Sequence, residues 1–382
     1  MKIFVAVLCA LTLACTTTSN RVASYTLDYD TPVDAKLQSQ LETLDAELRA
    51  KYNMTGEQTA AGVLDLKQLR LAMVNPDRIE YAASVPKVGI LLAYFAKHPE
   101  AATNLDPVVR HELGMMAKQS SNEMAAKYSR ELGLREIQEV LNGYGFYDAT
   151  HGGGIWVGKH YGPNSERIGD PVADHSHAAT VRQLVRYYLM LEQGKLVSPA
   201  ASKTMREIFE SPDLPHDDHK FVKGLAGRDV QIIRKWGSWQ DYLHDSAIVT
   251  APNRHYVIVA LTHHPQGDDY LADLATAVDN WMGGTPSTIA RMNSASITGT
   301  VIDSITKAPL ANATVTAVSP VGHGSATTDA QGAYTIFNLP PSTYEVTFSA
   351  TGFKSFSPPT GIRVYEGMPV HLNAELLPLP AQ

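Results

Sequence analysis

Segments with strand periodicity lie at both ends of a long helical stretch, and that order restricts the fold more than any single motif does. Residues 62–74, GVLDLKQLRLAMV, alternate as a hairpin does. Helical spacing then dominates from residue 86 to about 144 and again from 178 to 209. After residue 230 the pattern returns to strands in VQIIRKWGSW, DSAIVTA and HYVIVALTHH, and a last helix is expected over about 268–282. An earlier amphipathic helix covers 35–50, with Leu37, Leu41, Leu44 and Leu48 on one side. Strands at both ends with helices between them predict an α/β (α+β) sandwich, in which the N-terminal hairpin joins the C-terminal strands in one antiparallel sheet.

The stretch GGTPSTIARMNSAS at 283–296 is a linker by composition, and it separates a domain over 35–283 from one over 296–379, with 284–295 between them. Beyond it the only basic residues are Lys307, Lys354 and Arg363, and short alternating runs such as ATVTAV, AYTIF and YEVTFSA are separated by turns rich in Gly, Pro, Asp and Ser. That pattern predicts a small all-β sandwich of about 85 residues. The runs ITGTVIDSITKAPLANATVTA and TTDAQGAYTIFNLPPSTYEVTFSATGF resemble the carboxypeptidase regulatory-like domain, which has a transthyretin-like fold. The resemblance implies turn and core roles for Asp329, Gly332 and Tyr334, and no chemistry.

The formal net charge of −7, with no basic run, argues against a nucleic-acid partner. Residues 1–20, MKIFVAVLCALTLACTTTSN, place one lysine before a largely apolar run at 3–14 and a polar spacer, the pattern of an export signal too short to span a bilayer. LTLAC resembles a lipoprotein cleavage box with Cys15 as the acylated residue, although Leu11 stands four residues before Cys15 rather than three. An ordinary cleaved signal is the competing reading. Either way an exported protein of the periplasm or cell envelope is expected, with membrane attachment if Cys15 is lipidated. Cys9 and Cys15 are the only cysteines, so a chain that loses this leader has neither disulfides nor cysteine chemistry.

Three short stretches carry the chemistry. In YAASVPKVGILLAYF, Ser84 and Lys87 stand three apart where a helix begins, which places both on one helical face. In MAKQSSNEMAAKY, Ser120 and Asn122 stand at another helix start, where Ser120 is also read as the N-cap. In IIRKWGSW, Lys235 and Gly237 fall on a strand at the sheet edge. In this order SVPK, SSN and KWG resemble the Ser-x-x-Lys, Ser-Asp-Asn and Lys-Thr-Gly motifs of the class A β-lactamases and related penicillin-binding proteins. The flanks VRHELGMMAKQSSNEMAAKY and ATVRQLVRYYLMLEQGKLVSP extend the resemblance over about 35–283. It implies a β-lactamase-like fold, an antiparallel sheet with an all-helical subdomain.

Acyl transfer sets what such a site needs. A neutral serine is a poor nucleophile, so Ser84 requires a base, and Lys87 serves only if burial and the second cation Lys235 depress its pKa. The resemblance implies that Ser120 relays the proton to the leaving nitrogen and that Asn122 orients Lys87 and holds the substrate amide. The N–H groups of Ser84 and Ser238 would form the oxyanion hole. Gly237 would let substrate backbone pair along the strand, and Lys235 would meet the substrate carboxylate. Implied substrates are a β-lactam or the D-Ala-D-Ala end of a peptidoglycan stem peptide, with no cofactor and no metal. The alternatives to a β-lactamase are a D-alanyl-D-alanine peptidase or an envelope binding protein that turns nothing over.

The departures bear on that choice. Ser121 replaces the middle Asp, and the interval between Ser84 and Ser120 is shorter than usual, which implies a trimmed helical roof. Trp236 stands where the family has a hydroxyl that helps bind the carboxylate. In ERIGDPVADHSHAAT, at the place of the family's Ω loop, Glu166 is the candidate base for deacylation, with Asp170 four residues on where the family has an Asn; a solvated surface Glu is the other reading. HDDH at 216–219 and DHSH at 174–177 lack zinc-hydrolase spacing and read as solvated loops or as loops pinned by hydrogen bonds. HGGGIW at 151–156 reads as a flexible loop near the site, and Trp156, Tyr161 and Trp239 are candidate cleft-lining residues.

Overall fold

The computed structural model describes residues 21–162, 165–283, 296–336, 339, 342–365 and 369–379. The leader at 1–20, Cys15 included, and the linker at 284–295 lie outside the described residues. The chain divides into two compact units, the first holding residues up to 225 and from 230 onward to the linker.

The first unit opens with α1 (Ala35–Tyr52), started by Asp34, whose carboxylate accepts from Leu37 N, and ended by Asn53 in the left-handed region. Leu37, Leu41 and Leu48 are buried as their spacing predicts, but Leu44 is only half-buried. Asp45 takes an interior place instead, accepting from Thr59 Oγ1, Tyr270 OH and Arg49 Nε. A buried carboxylate with three donors is satisfied.

The hairpin β1 (Thr59–Asp65) and β2 (Arg70–Val74) does join the C-terminal strands β3 (Gln231–Trp239), β4 (Tyr242–Ala251) and β5 (Arg254–His263). The order is β2-β1-β5-β4-β3, antiparallel throughout. Alternation divides the core between two faces. Ala61, Val63, Tyr256, Ile258 and Ala260 face α1 and the last helix, α8 (Gly267–Trp281). Ala60, Leu64, Val257, Val259 and Leu261 face the helical subdomain. That subdomain contains α2 (Lys87–Lys97), α3 (Pro107–Ala117), α4 (Asn122–Leu132), α5 (Leu134–Gly143), α6 (Val181–Glu192) and α7 (Pro199–Glu210).

α2 runs through the middle of the subdomain. Residues 87–95 are all buried, Lys87 among them. The helix begins at Lys87 rather than at Ser84, because residues 83–86 form a turn in which Ala83 takes φ 49°. HGGGIW is a packed hairpin and not a flexible loop: buried Gly153–Gly154 pairs with Tyr147–Asp148. A Cβ on Gly152 would meet Asp77 O at 2.2 Å, so the segment can lie this close only as glycine.

The second unit is an all-β sandwich. One sheet is centred on β6 (Ser296–Asp303), which pairs antiparallel with β9 (Ala333–Ile336) and parallel with β12 (Pro369–His371) and β13 (Ala374–Leu376). The other runs β8 (Gly322–Thr327), β7 (Thr314–Ser319), β10 (Ser342–Ser349), β11 (Ile362–Val364). Ile297, Val315, Tyr344 and Phe348 fill the core between them. Asp329 Oδ1 accepts from Gln331 N and Ala333 N, Gly332 takes φ 72°, and buried Tyr334 donates to Leu372 O, so these three residues hold a turn and the core.

Candidate active site

The site is built where α2, the turn before α4 and the edge strand β3 meet. Lys87, in the first turn of α2, is 1% exposed, and its Nζ donates to Ser120 O at 2.6 Å and Asn122 Oδ1 at 2.8 Å, with Ser120 Oγ at 3.4 Å. From the other side Lys235 Nζ, fully buried on β3, donates to Ser120 Oγ at 2.8 Å and to Trp236 O. Ser120 therefore lies between two amines. Its oxygen is within reach of both amines, so its hydroxyl can exchange a proton with either of them.

Ser120 adopts φ 59°, an uncommon conformation for a serine. It is not the helix cap expected from the sequence. Ser121 caps α4, its Oγ accepting from Met124 N, which also explains why a serine serves where the family has Asp.

Burial lowers Lys87 from the usual lysine range to about 7. Burial also holds Lys235 well below that range, and the charge of Lys87 adds to the effect. Lys235 does not contribute in return to Lys87, whose shift comes from burial alone. A free amine thus appears on Lys87 near neutral pH.

Ser84 stands in the turn before α2, and no hydrogen bond from its hydroxyl to Lys87 is present. It opens into a cleft of about 200 Å³ lined also by Asn122, Ser238, Trp239, Tyr161 and His177. The turn is pinned at successive points. Tyr81 O is bonded to His244 Nε2, Ala82 N donates to His177 O, and Tyr161 OH donates to Ala83 O. His244 Nδ1 accepts from Thr262 N, which leaves Nε2 as the protonated nitrogen. Gly237 brings β3 against this turn: a Cβ there would lie 2.6 Å from Ala82 O and 2.9 Å from Ser84 N. The Ser84 N–H has no acceptor among the described residues, as an oxyanion donor should not.

Several expectations need correction. Lys235 is wholly buried and does not line the cleft; it meets Ser120 Oγ and Trp236 O rather than the open space in front of Ser84. Trp236 does not line the cleft. Its ring packs edge-on against His219 at 4.8 Å and lies 5.0 Å from Lys220 Nζ. Gly237 acts through close approach to the turn and does not itself line the cleft. Glu166 is exposed, lies outside the cleft, and its charge acts on His160 rather than Lys87. Asp170 does not reach toward Glu166: its carboxylate accepts from Val172 N, Ala173 N and His175 N in its own loop and from Tyr147 OH of the neighbouring hairpin. Tyr161 covers Lys87 instead, its ring centre 4.5 Å from Nζ. Trp156 is buried away from the cleft and donates to Ile168 O. Arg234 pins the HDDH loop through Asp217 O and His219 O while pairing with Asp245.

Lys220 was not anticipated. It is 1% exposed, donates to Ser238 Oγ at 2.6 Å and lies 3.3 Å from Asp268. A single lysine after a polar loop has no periodic signature, and only the tertiary fold turns it toward β3.

Residues 108–282 match the model of the beta-lactamase enzyme family, and residues 296–377 that of the carboxypeptidase regulatory-like domain. The first domain is β-lactamase-like. The chain superposes on a beta-lactamase from Sphaerobacter thermophilus with TM-score 0.51 at 15% identity, covering 64% of this chain and 97% of that one. It superposes on a beta-lactamase from Chitinophaga pinensis at 0.51 and 13%, covering 63% and 99%. A variant of the last common ancestor of the Gram-negative class A beta-lactamases gives 0.50 and 21%, covering 65% and 99%. At these identities the likeness is one of fold. Among curated proteins, the TonB-dependent transporter Oar of Myxococcus xanthus is 41% identical over 87 residues, which is 22% of this chain and 8% of the transporter's length.

Proposed function

We propose that the β-lactamase-like domain is a serine hydrolase acylated at Ser84 by amides that stand next to a carboxylate, with β-lactams as the first class and D-Ala-D-Ala termini as the second. The observation that carries this reading is the buried run Lys87, Ser120, Lys235 beside an open Ser84, in which one lysine is held near pH 7. Lys87 takes the Ser84 proton, directly or through water, as the hydroxyl attacks; Ser120 then passes a proton to the departing nitrogen, and the oxyanion forms against the Ser84 and Ser238 N–H groups.

Carboxylate binding falls to Ser238. Its oxygen accepts from Lys220, so its proton is free to donate into the cleft, and the buried cation behind it favours an anion there. This arrangement stands in for the hydroxyl that Trp236 displaces.

The placement of Glu166 favours a long-lived acyl-enzyme over rapid turnover. No carboxylate lines the cleft among the described residues, so the water needed for deacylation lacks the base that class A enzymes use. A chromogenic cephalosporin should therefore give a burst of about one equivalent followed by a slow phase, and Glu166→Gln should leave that slow phase unchanged within about twofold. Linear fast turnover, or loss of the slow phase in the Gln variant, would contradict the proposal. Export to the envelope, and lipidation at Cys15, belong to the same proposal; the N-terminal residue and mass of the mature chain test them.

A further inference from the structure

The cleft wall that carries Asn122 continues into residues 159–162. Lys87 joins the two, since its Nζ bonds to Asn122 Oδ1 and lies under the Tyr161 ring. Ser238 and Trp239 of β3 form the other wall. An acyl amide held by Asn122 therefore extends its side chain along 159–162, while the leaving half of the substrate lies along β3.

Lys159 stands on the acyl wall, half-buried, with no carboxylate or hydrogen-bond partner for its ammonium among the described residues. Its backbone is fixed: its carbonyl is bonded to His177 Nε2 at 2.9 Å, and it bridges to Arg167 on the neighbouring segment. Arg130, in the last turn of α4, is an exposed cation behind this wall, its NH2 3.1 Å from where a Cβ on Gly162 would sit; like Glu166 it acts on His160 without lining the cleft, and the two charges oppose each other there.

The other charged and titratable groups on this wall leave an excess of positive charge. Arg167 is paired with Asp174. Burial lowers His160 and takes His177 to about 4, so His177 is neutral at pH 7. Lys87, lowered by burial to about 7, is only partly charged at neutral pH. Glu166 is the carboxylate near His160, and it points to solvent.

The geometry points to an anion subsite at the acyl end of the cleft, formed by Lys159, which selects substrates whose acyl half carries a carboxylate, such as a peptide with an acidic residue before its D-Ala-D-Ala end. The inference rests on Ser84 being the acylated residue and deepens that reading by naming the substrate's charge.

Two measurements separate its failure from failure of that reading. Carbenicillin and benzylpenicillin differ by one carboxylate on the acyl side chain. The wild-type protein should acylate about five to ten times faster with carbenicillin, and Lys159→Met should remove that advantage while leaving the benzylpenicillin rate within twofold. An unchanged ratio, or equal slowing of both drugs, would overturn the subsite. Binding that needs no acylation is read on Ser84→Ala by calorimetry, with N-acetyl-D-glutamyl-D-alanyl-D-alanine against its D-glutaminyl analogue. The acid should bind about fivefold more tightly, with the difference lost on adding Lys159→Met; equal affinities would overturn the subsite whatever Ser84 does.

Discussion

Replacing Lys87 by methionine is expected to slow acylation of Ser84 by about 10²- to 10⁴-fold, the range that one positioned general base contributes. Methionine approximates the length of the lysine stem and fills the same buried path, so the helix keeps its packing while the amine is lost. The wild-type pH profile tests the same role without a mutation. Lys87 acts as a base only when unprotonated, and burial sets its proton loss at about 7. Below that pH the acylation rate should fall tenfold per unit, and above it the rate should level off. The midpoint belongs to the amine pair rather than to Lys87 alone, because Lys235 shares the same serine. A rate flat from pH 5 to 9, measured by stopped-flow with a fluorescent penicillin, would remove Lys87 from the mechanism. So would a Lys87→Met variant that acylates within tenfold of the wild type.

Gly237→Ala is the second large effect. The added methyl would stand 2.6 Å from Ala82 O and 2.9 Å from Ser84 N, and both are backbone atoms with no flexible side chain to yield. Either β3 moves outward or the nucleophile turn rotates, and both separate the two oxyanion donors. Displacements of this kind cost about 10²-fold in rate, whereas overpacking costs only about 1–3 kcal/mol of stability. The variant should therefore fold, lose a few degrees in Tm, and acylate about a hundredfold more slowly. Acylation at the wild-type rate would mean that strand and turn are not held in contact as described.

The parts of this site that the sequence reveals are those set by local spacing. Ser84 and Lys87 are three apart at a helix start, Lys235 and Gly237 are two apart on a strand, and the strand periodicity of 62–74 and 230–264 is enough to place the sheet. The hidden parts arise where distant segments meet. Nothing in HDDHK distinguishes Lys220 from the solvated residues before it; its burial follows from φ 55° and ψ −126°, which turn it beneath Ser238. Glu166 has the right spacing from Asp170, yet the loop consumes Asp170 in its own backbone hydrogen bonds and leaves Glu166 at the surface. Tyr161 takes the place over Lys87, and a tyrosine in an irregular segment has no pattern that announces a partner 74 positions earlier. Trp236 was readable as a departure from the family, but its position against His219 and Lys220 was not, because it depends on how the HDDH loop folds back on β3.

The most direct test of the central claim is the intact mass of the wild-type protein and of its Ser84→Ala variant after incubation with benzylpenicillin. The account predicts a gain equal to one penicillin in the wild type, carried on the peptide that contains Ser84 and persisting after free drug is removed, with no gain in the variant. An adduct on the variant, or none on the wild type, would contradict acylation at Ser84 and the mechanism built on it.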